Sequence, residues 1–219
     1  MRLLLASFIT LALSMGAVCN AQAAVESRKD IKAAKAAPMI RGGIAYNAYC
    51  VLCHGEKGDG EARATKLYGQ VNLVLAVEEN TPEHNEKLIR QGGAAVGRSE
   101  FMPAWQDELT DEQIDGLMAY LAVIGQPVKR GEVVFKTNCI LCHGSKGDGK
   151  GRASVLYDPP PADLTRSDKN DAYKKMIITM GGAAMGRSEV MPVWGLQLSE
   201  QQIDDVVVYL KTILINQQS

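Results

Sequence analysis

Cys50-Val51-Leu52-Cys53-His54-Gly55 and Cys139-Ile140-Leu141-Cys142-His143-Gly144 decide how this 219-residue chain is read. Both follow the pattern Cys-x-x-Cys-His. In that pattern two thiols reach the vinyl groups of one haem as thioethers, and the adjacent imidazole supplies the proximal ligand to iron. Cys50, Cys53 and His54 are therefore assigned to one covalently attached haem c, and Cys139, Cys142 and His143 to a second. Other uses of the spacing fit less well. A zinc site needs more cysteine or histidine than either copy has nearby, and a thioredoxin-like pair needs a βαβ context that the pattern does not offer.

Sliding the chain against itself by 89 residues aligns the two motifs and much else. Arg41-Gly42 meets Arg130-Gly131, Gly92-Gly93-Ala94-Ala95 meets Gly181-Gly182-Ala183-Ala184, and Gly97-Arg98-Ser99-Glu100 meets Gly186-Arg187-Ser188-Glu189. Met102-Pro103 meets Met191-Pro192, and Trp105 meets Trp194. About 35 of 86 aligned positions are identical, so the chain is an internal duplication. The expected domains are 38–125 and 127–216, joined by a link at Gly125-Gln126-Pro127 short enough to favour domains that touch.

Each half reads as helical. Met39–Cys50 predicts a first helix, and Glu83–Gln91 and Asp171–Met180 predict middle helices stopped by Gly-Gly pairs. Thr110-Asp111-Glu112-Gln113 and Ser199-Glu200-Gln201-Gln202 have capping-box form. Apolar residues then recur at helical spacing: Ile114, Leu117, Met118, Leu121, and again Ile203, Val206, Val207, Leu210. Val206-Val207-Val208 has strand propensity, but the cap and the repeat favour helix. The expected fold is all-α, with two tandem helical domains each built around one haem. Domains this small are marginal on burial alone, and a large apolar cofactor would add to each core.

The second axial ligand follows from counting. Beyond the two motif histidines there is only His84, whose partner in the repeat is Tyr173, so two histidines cannot ligate both irons. Met102 and Met191 each lie 48 residues after the motif histidine, each followed by a proline that fixes the local chain. Both are assigned as distal ligands. Met185 competes, but its counterpart is Val96. Met118, Met176 and Met180 read as core packing. A thioether favours Fe(II) and raises the potential, and an iron with both axial positions filled exchanges electrons rather than binding substrate. Trp105 and Trp194 are candidates to pack against haem or reach a propionate, and Arg98 and Arg187 to pair with propionates. Each motif histidine should donate its other ring N–H to a carbonyl, with Pro159-Pro160-Pro161 a rigid place for the acceptor in the second half. Gln70-Val71-Asn72 stands there in the first. His84 reads as a solvated helix residue, with a partner or metal surface and a sixth-ligand role as alternatives.

Met1-Arg2, the apolar run Leu3–Val18 and Ala21-Gln22-Ala23 read as a secretory signal peptide over 1–23, followed by an N-terminal segment over 24–37. On that reading the mature chain has no membrane span and works in the periplasm. Net charge is −1, unevenly placed: residues 41–126 carry seven Lys/Arg against thirteen Asp/Glu, and residues 127–219 twelve against ten. No basic patch points to nucleic acid.

Both halves resemble class I cytochrome c domains, as in the diheme subunit III of cbb3-type oxidases, with a layout similar to soluble cytochrome c4. The resemblance rests on the two Cys-x-x-Cys-His-Gly motifs, Gly58-Asp59-Gly60 and Gly147-Asp148-Gly149, Pro160-Pro161-Ala162-Asp163-Leu164, and the two Met-Pro-x-Trp segments. The first half lacks the proline-rich Asp-Leu element. The resemblance implies three or four helices around each haem, with first and last helices crossing where Gly42 meets Tyr120-Leu121 and Gly131 meets Tyr209-Leu210. It implies an electron carrier, not itself an enzyme. Its partners would be a membrane-bound quinol-oxidising complex or a periplasmic donor, and a terminal oxidase or reductase. Two alternatives stand beside a freestanding carrier: an electron-transfer subunit of a larger periplasmic oxidoreductase, and a diheme peroxidase.

Overall fold

The computed structural model describes residues 38–215, so the signal-peptide and N-terminal assignments over 1–37 lie outside the described residues. The first lobe runs through α1 (Pro38–Tyr49), α2 (Val51–His54), α3 (Thr65–Tyr68), α4 (Leu73–Glu79), α5 (Pro82–Gln91) and α6 (Asp111–Leu121). The second runs through α7 (Pro127–Asn138), α8 (Ile140–His143), α9 (Asp171–Ala184) and α10 (Glu200–Thr212), with short 3-10 turns between. Among the described residues there is no β-strand.

Both capping boxes form. Gln113 N donates to Thr110 Oγ1 at 3.3 Å while Thr110 N donates to Gln113 Oε1 at 2.9 Å. Gln202 and Ser199 repeat the exchange at 3.1 and 3.0 Å. These bonds satisfy amides that a helix start leaves unpaired. α5 stops at Gly92, and α9 loses its helical path at Gly181; both glycines have φ 79°, a left-handed value that disfavours a side chain.

The terminal helix of each lobe lies across the first. Gly42 faces the Gly116 carbonyl and Leu117 amide, and Gly131 faces the Asp205 carbonyl and Tyr209 Cβ; neither leaves room for a methyl group. The closest approach is therefore at Gly116 in the first lobe, one turn before the expected Tyr120-Leu121, and at its counterpart Asp205 as well as the expected Tyr209 in the second, because a glycine without a side chain can settle on a backbone carbonyl of the facing helix. Tyr46, Ile114, Leu117, Tyr120 and Ile124 fill the core beneath it. Phe135, Ile203, Val206 and Leu210 do so in the second lobe.

The lobes touch through α1 and α7. Val133 belongs to the first lobe's core, and Gly43 packs against its side chain. The buried Arg130 makes two bonds to the Asp205 carboxylate, at 2.7 and 2.8 Å, and a third from Nη1 to the Ile124 carbonyl at 2.7 Å.

Other expectations change as well. The proline-rich segment is not opposite Gln70-Val71-Asn72. Leu73 N donates to Gly58 O and Leu164 N to Gly147 O, so Asn72-Leu73 stands where Asp163-Leu164 does, and the first lobe's loop is two residues shorter. The Asn72 and Asp163 side chains each cap the turn that follows. The first half thus keeps the element without its prolines, and α4 makes up the difference in length. Met176 and Met180 are not core: both are 47% exposed on α9. Met118 does pack on the first lobe's core.

Candidate haem-binding sites

Each motif forms a single helical turn directly after the lobe's first helix. The Cys50 carbonyl accepts from Cys53 N and His54 N, and the Cys139 carbonyl from Cys142 N and His143 N. This turn brings both cysteines and the histidine together. The loop then folds back, with Gly60 N donating to His54 O at 3.1 Å and Gly149 N to His143 O at 2.9 Å. Burial, with the neighbouring cysteine second, pushes the Cys50 and Cys139 thiols up to about 12. Burial also lowers both His54 and His143, favouring the neutral imidazole that ligates a metal.

His143 Nδ1 lies 3.1 Å from the Ala162 carbonyl. A carbonyl only accepts, so Nδ1 carries the proton and Nε2 keeps the lone pair that an iron needs. The acceptor is the residue after the three prolines rather than one of them. His54 Nδ1 is buried without a partner among the described residues.

The Met segments are held alike in both lobes. Gly93 N donates to Met102 O at 2.9 Å and Arg98 N to Gly93 O at 2.8 Å; Gly182 N donates to Met191 O at 3.1 Å and Arg187 N to Gly182 O at 2.8 Å. Cys50, Met102 and Trp105 pack on the first lobe's core, and Cys139, Met191 and Trp194 on the second's. The Tyr49 and Trp105 rings stand 5.6 Å apart, tying the attachment turn to the Met segment. Trp105 Nε1 is buried without a partner among the described residues. Arg98 is exposed; Arg187 is also exposed and donates from Nε to the Tyr173 hydroxyl at 3.2 Å. His84, in the place of Tyr173, is half-buried with Nε2 covered, so it is not the solvated helix residue expected.

These residues fit haem c. Two thiols and a neutral imidazole share one turn, and polar ring atoms of His54 and Trp105 await partners. Large apolar side chains are exposed at matched positions of the repeat, namely Leu52 and Leu141, Leu67 and Leu156, Phe101 and Val190. A flat apolar group bonded to the thiols would cover such side chains and add to each core.

An all-α duplication with this turn and a methionine segment on each core defines a haem c-binding electron-transfer protein, a c-type cytochrome. The family model described as cytochrome C oxidase, cbb3-type, subunit III, matches residues 37–121 and again 126–210, and the chain belongs to that family. It is 27% identical to a cbb3-type cytochrome c oxidase subunit FixP of Azorhizobium caulinodans over 78% of this chain and 58% of that one. It is 26% identical to a cbb3-type cytochrome c oxidase subunit CcoP of an Azospirillum species over 80% and 62%. A cytochrome bc1 complex cytochrome c subunit of Mycobacterium leprae is 25% identical over 79% and 61%. The chain thus spans about three fifths of these relatives' length. A chain of the Kuenenia stuttgartiensis reducing HAO-like protein complex is a distant likeness, with a TM-score of 0.36 and 21% identity over 80% of this chain and 96% of that one.

Proposed function

We propose that this chain is an electron-transfer subunit of a larger respiratory oxidoreductase on the periplasmic side of a membrane, carrying two covalently attached haems c. Haem supplies one-electron exchange at iron when bound. Cys50 and Cys53 hold the first haem and Cys139 and Cys142 the second. His54 and His143 are the proximal ligands, and Met102 and Met191 the distal ones. Trp105 and Trp194 pack beside the rings, and Arg98 and Arg187 offer cations to the propionates.

The carrying observation is the repetition itself: in both lobes the Cys-x-x-Cys-His turn and the Met-Pro-x-Trp segment rest on one core. Filled axial positions favour carrying electrons over peroxide turnover. Family membership favours a subunit over a freestanding carrier, with a quinol-oxidising complex or a terminal oxidase as redox partner. The surface agrees. The second lobe exposes Met176, Met180, Val193 and Leu196, the last 84% exposed, where the first has Lys87, Gln91, Ala104 and Asp107. The 3-10 turn Trp194–Leu196 packs on α9, so these apolar residues sit on adjoining elements, and methionine-rich surfaces adapt well to partners. No described helix is long and apolar enough to cross a membrane.

The test is a haem count by alkaline pyridine spectra together with the methionine–Fe(III) absorption at about 695 nm. Two haems per chain with that band present are expected. High-spin iron or a missing band at both sites would overturn the ligand assignment.

A further inference from the structure

The loop that follows the first motif is held by the second lobe. Ser199 Oγ, at the start of α10, donates to the half-buried Glu56 carboxylate at 2.5 Å, a bond across the two lobes. A second contact reaches the same loop. Arg130, anchored on Asp205, grips the Ile124 carbonyl. Ile124 is 0% exposed, and its Cδ1 would stand 2.8 Å from a Cβ placed on Gly58. Gly58 in turn accepts from Leu73 N at 2.6 Å.

The second lobe's own loop is built differently. Ser145 takes the place of Glu56, and its carbonyl accepts from Lys136 of the same lobe at 2.5 Å. Ile213 fills the place of Ile124 against Gly147. Among the described residues, no hydrogen bond from the first lobe is seen to reach the 144–149 loop.

From this asymmetry we infer that Ser199 and Arg130 are positioning residues for the first haem site: the second lobe acts as a one-way clamp on loop 55–60. The loop carries the turn after His54, so what fixes it fixes how closely water approaches the first haem's attachment side. The two sites are then unequal by construction. The first depends on the second lobe for its order, while the second is self-contained.

The inference rests on the two-haem assignment above, and the experiment separates the two. In the full-length holoprotein, Ser199→Gly removes the hydroxyl while keeping a residue tolerated at a helix N-cap, and adds no charge. Ser199→Thr keeps both hydroxyl and cap. Glu56→Ala breaks the bond from the other side, should the first variant fold poorly. Amide hydrogen exchange is read for 55–60 and 144–149, alongside haem content and the midpoint potential of each haem.

Losing a hydrogen bond to a carboxylate should speed exchange in 55–60 by about tenfold in Ser199→Gly and in Glu56→Ala. The 144–149 loop should be unaffected and Ser199→Thr should behave as the parent. The potential of the first haem should shift while that of the second holds. Because the two changes remove one bond, the double variant should exceed neither single one. Unchanged exchange in 55–60, or equal acceleration of both loops, overturns the clamp. A haem count other than two overturns the cofactor assignment instead, and the exchange comparison still decides the clamp.

Discussion

The Tyr46 hydroxyl donates to the Gly55 carbonyl at 2.6 Å from within the first lobe's core, its ring 5.4 Å from that of Tyr120. It joins the helix before the motif to the residue after it. Phe135 holds the same place in the second lobe and cannot make the bond. Tyr46→Phe should therefore keep the packing and lose the bond, costing about 1 kcal/mol. Gly58 N also donates to that carbonyl at 3.3 Å, so it is not left bare. Urea midpoints of parent and variant check this.

The same phenol gives the protein an alkaline limit. Burial raises Tyr46 far above the ordinary tyrosine range, and burial likewise raises Tyr120. A folded state that binds these protons more tightly than the unfolded chain is stabilised in full below the ordinary phenol value. It loses that stability as pH rises past about 10. Midpoints measured at pH 8 and at pH 11 should fall between the two, and Tyr46→Phe should show a shallower fall.

Arg130 and Asp205 form a buried pair whose geometry is two-pronged. Asp205→Asn leaves a buried guanidinium without its counter-charge and should cost about 3–5 kcal/mol. Replacing both with apolar residues should recover most of that loss, because neither charge then needs a partner. Chemical denaturation of the single and double variants separates the two outcomes.

The helix crossing sets a steric test. Alanine in place of Gly42 would gain about 1 kcal/mol of helix propensity. Its methyl group, however, meets the Gly116 carbonyl, which is backbone and cannot swing aside. Such overpacking costs about 1–3 kcal/mol and should outweigh the gain. A melting temperature below that of the parent is the expected result.

Much of this was legible from local chemistry. The capping boxes at Thr110 and Ser199, the stops at Gly92 and Gly181, and the cysteine turns depend on residues within a few positions of one another. The rest depends on separations that periodicity does not carry. Asn72 replaces Asp163 as a cap only if the repeat slips by two residues, and both side chains accept from a backbone amide, so the chemistry survives the change of letter. Met176 and Met180 lie at helical spacing on α9, where apolar character alone suggested burial. The Arg130–Asp205 and Glu56–Ser199 bonds cross 75 and 143 residues of chain. In the first repeat Gly116 occupies the place of Asp205, so self-comparison hid the first of these pairs.

Met102 and Met191 offer the sharpest test of the cofactor reading, because the repeat allows each lobe to serve as the control for the other. Both are half-buried on their own lobe's core. The attachment cysteines lie elsewhere, so replacing a methionine should not detach haem. Met102→Ala should leave two covalent haems, remove about half of the methionine–iron absorbance and lower the potential of one haem, since a thioether favours the reduced iron. Met191→Ala should do the same to the other haem. The double variant should lose the band entirely and bind small ligands such as carbon monoxide at both irons. If Met185 were the ligand in the second lobe, Met191→Ala would leave the band whole, and Met185→Ala would halve it.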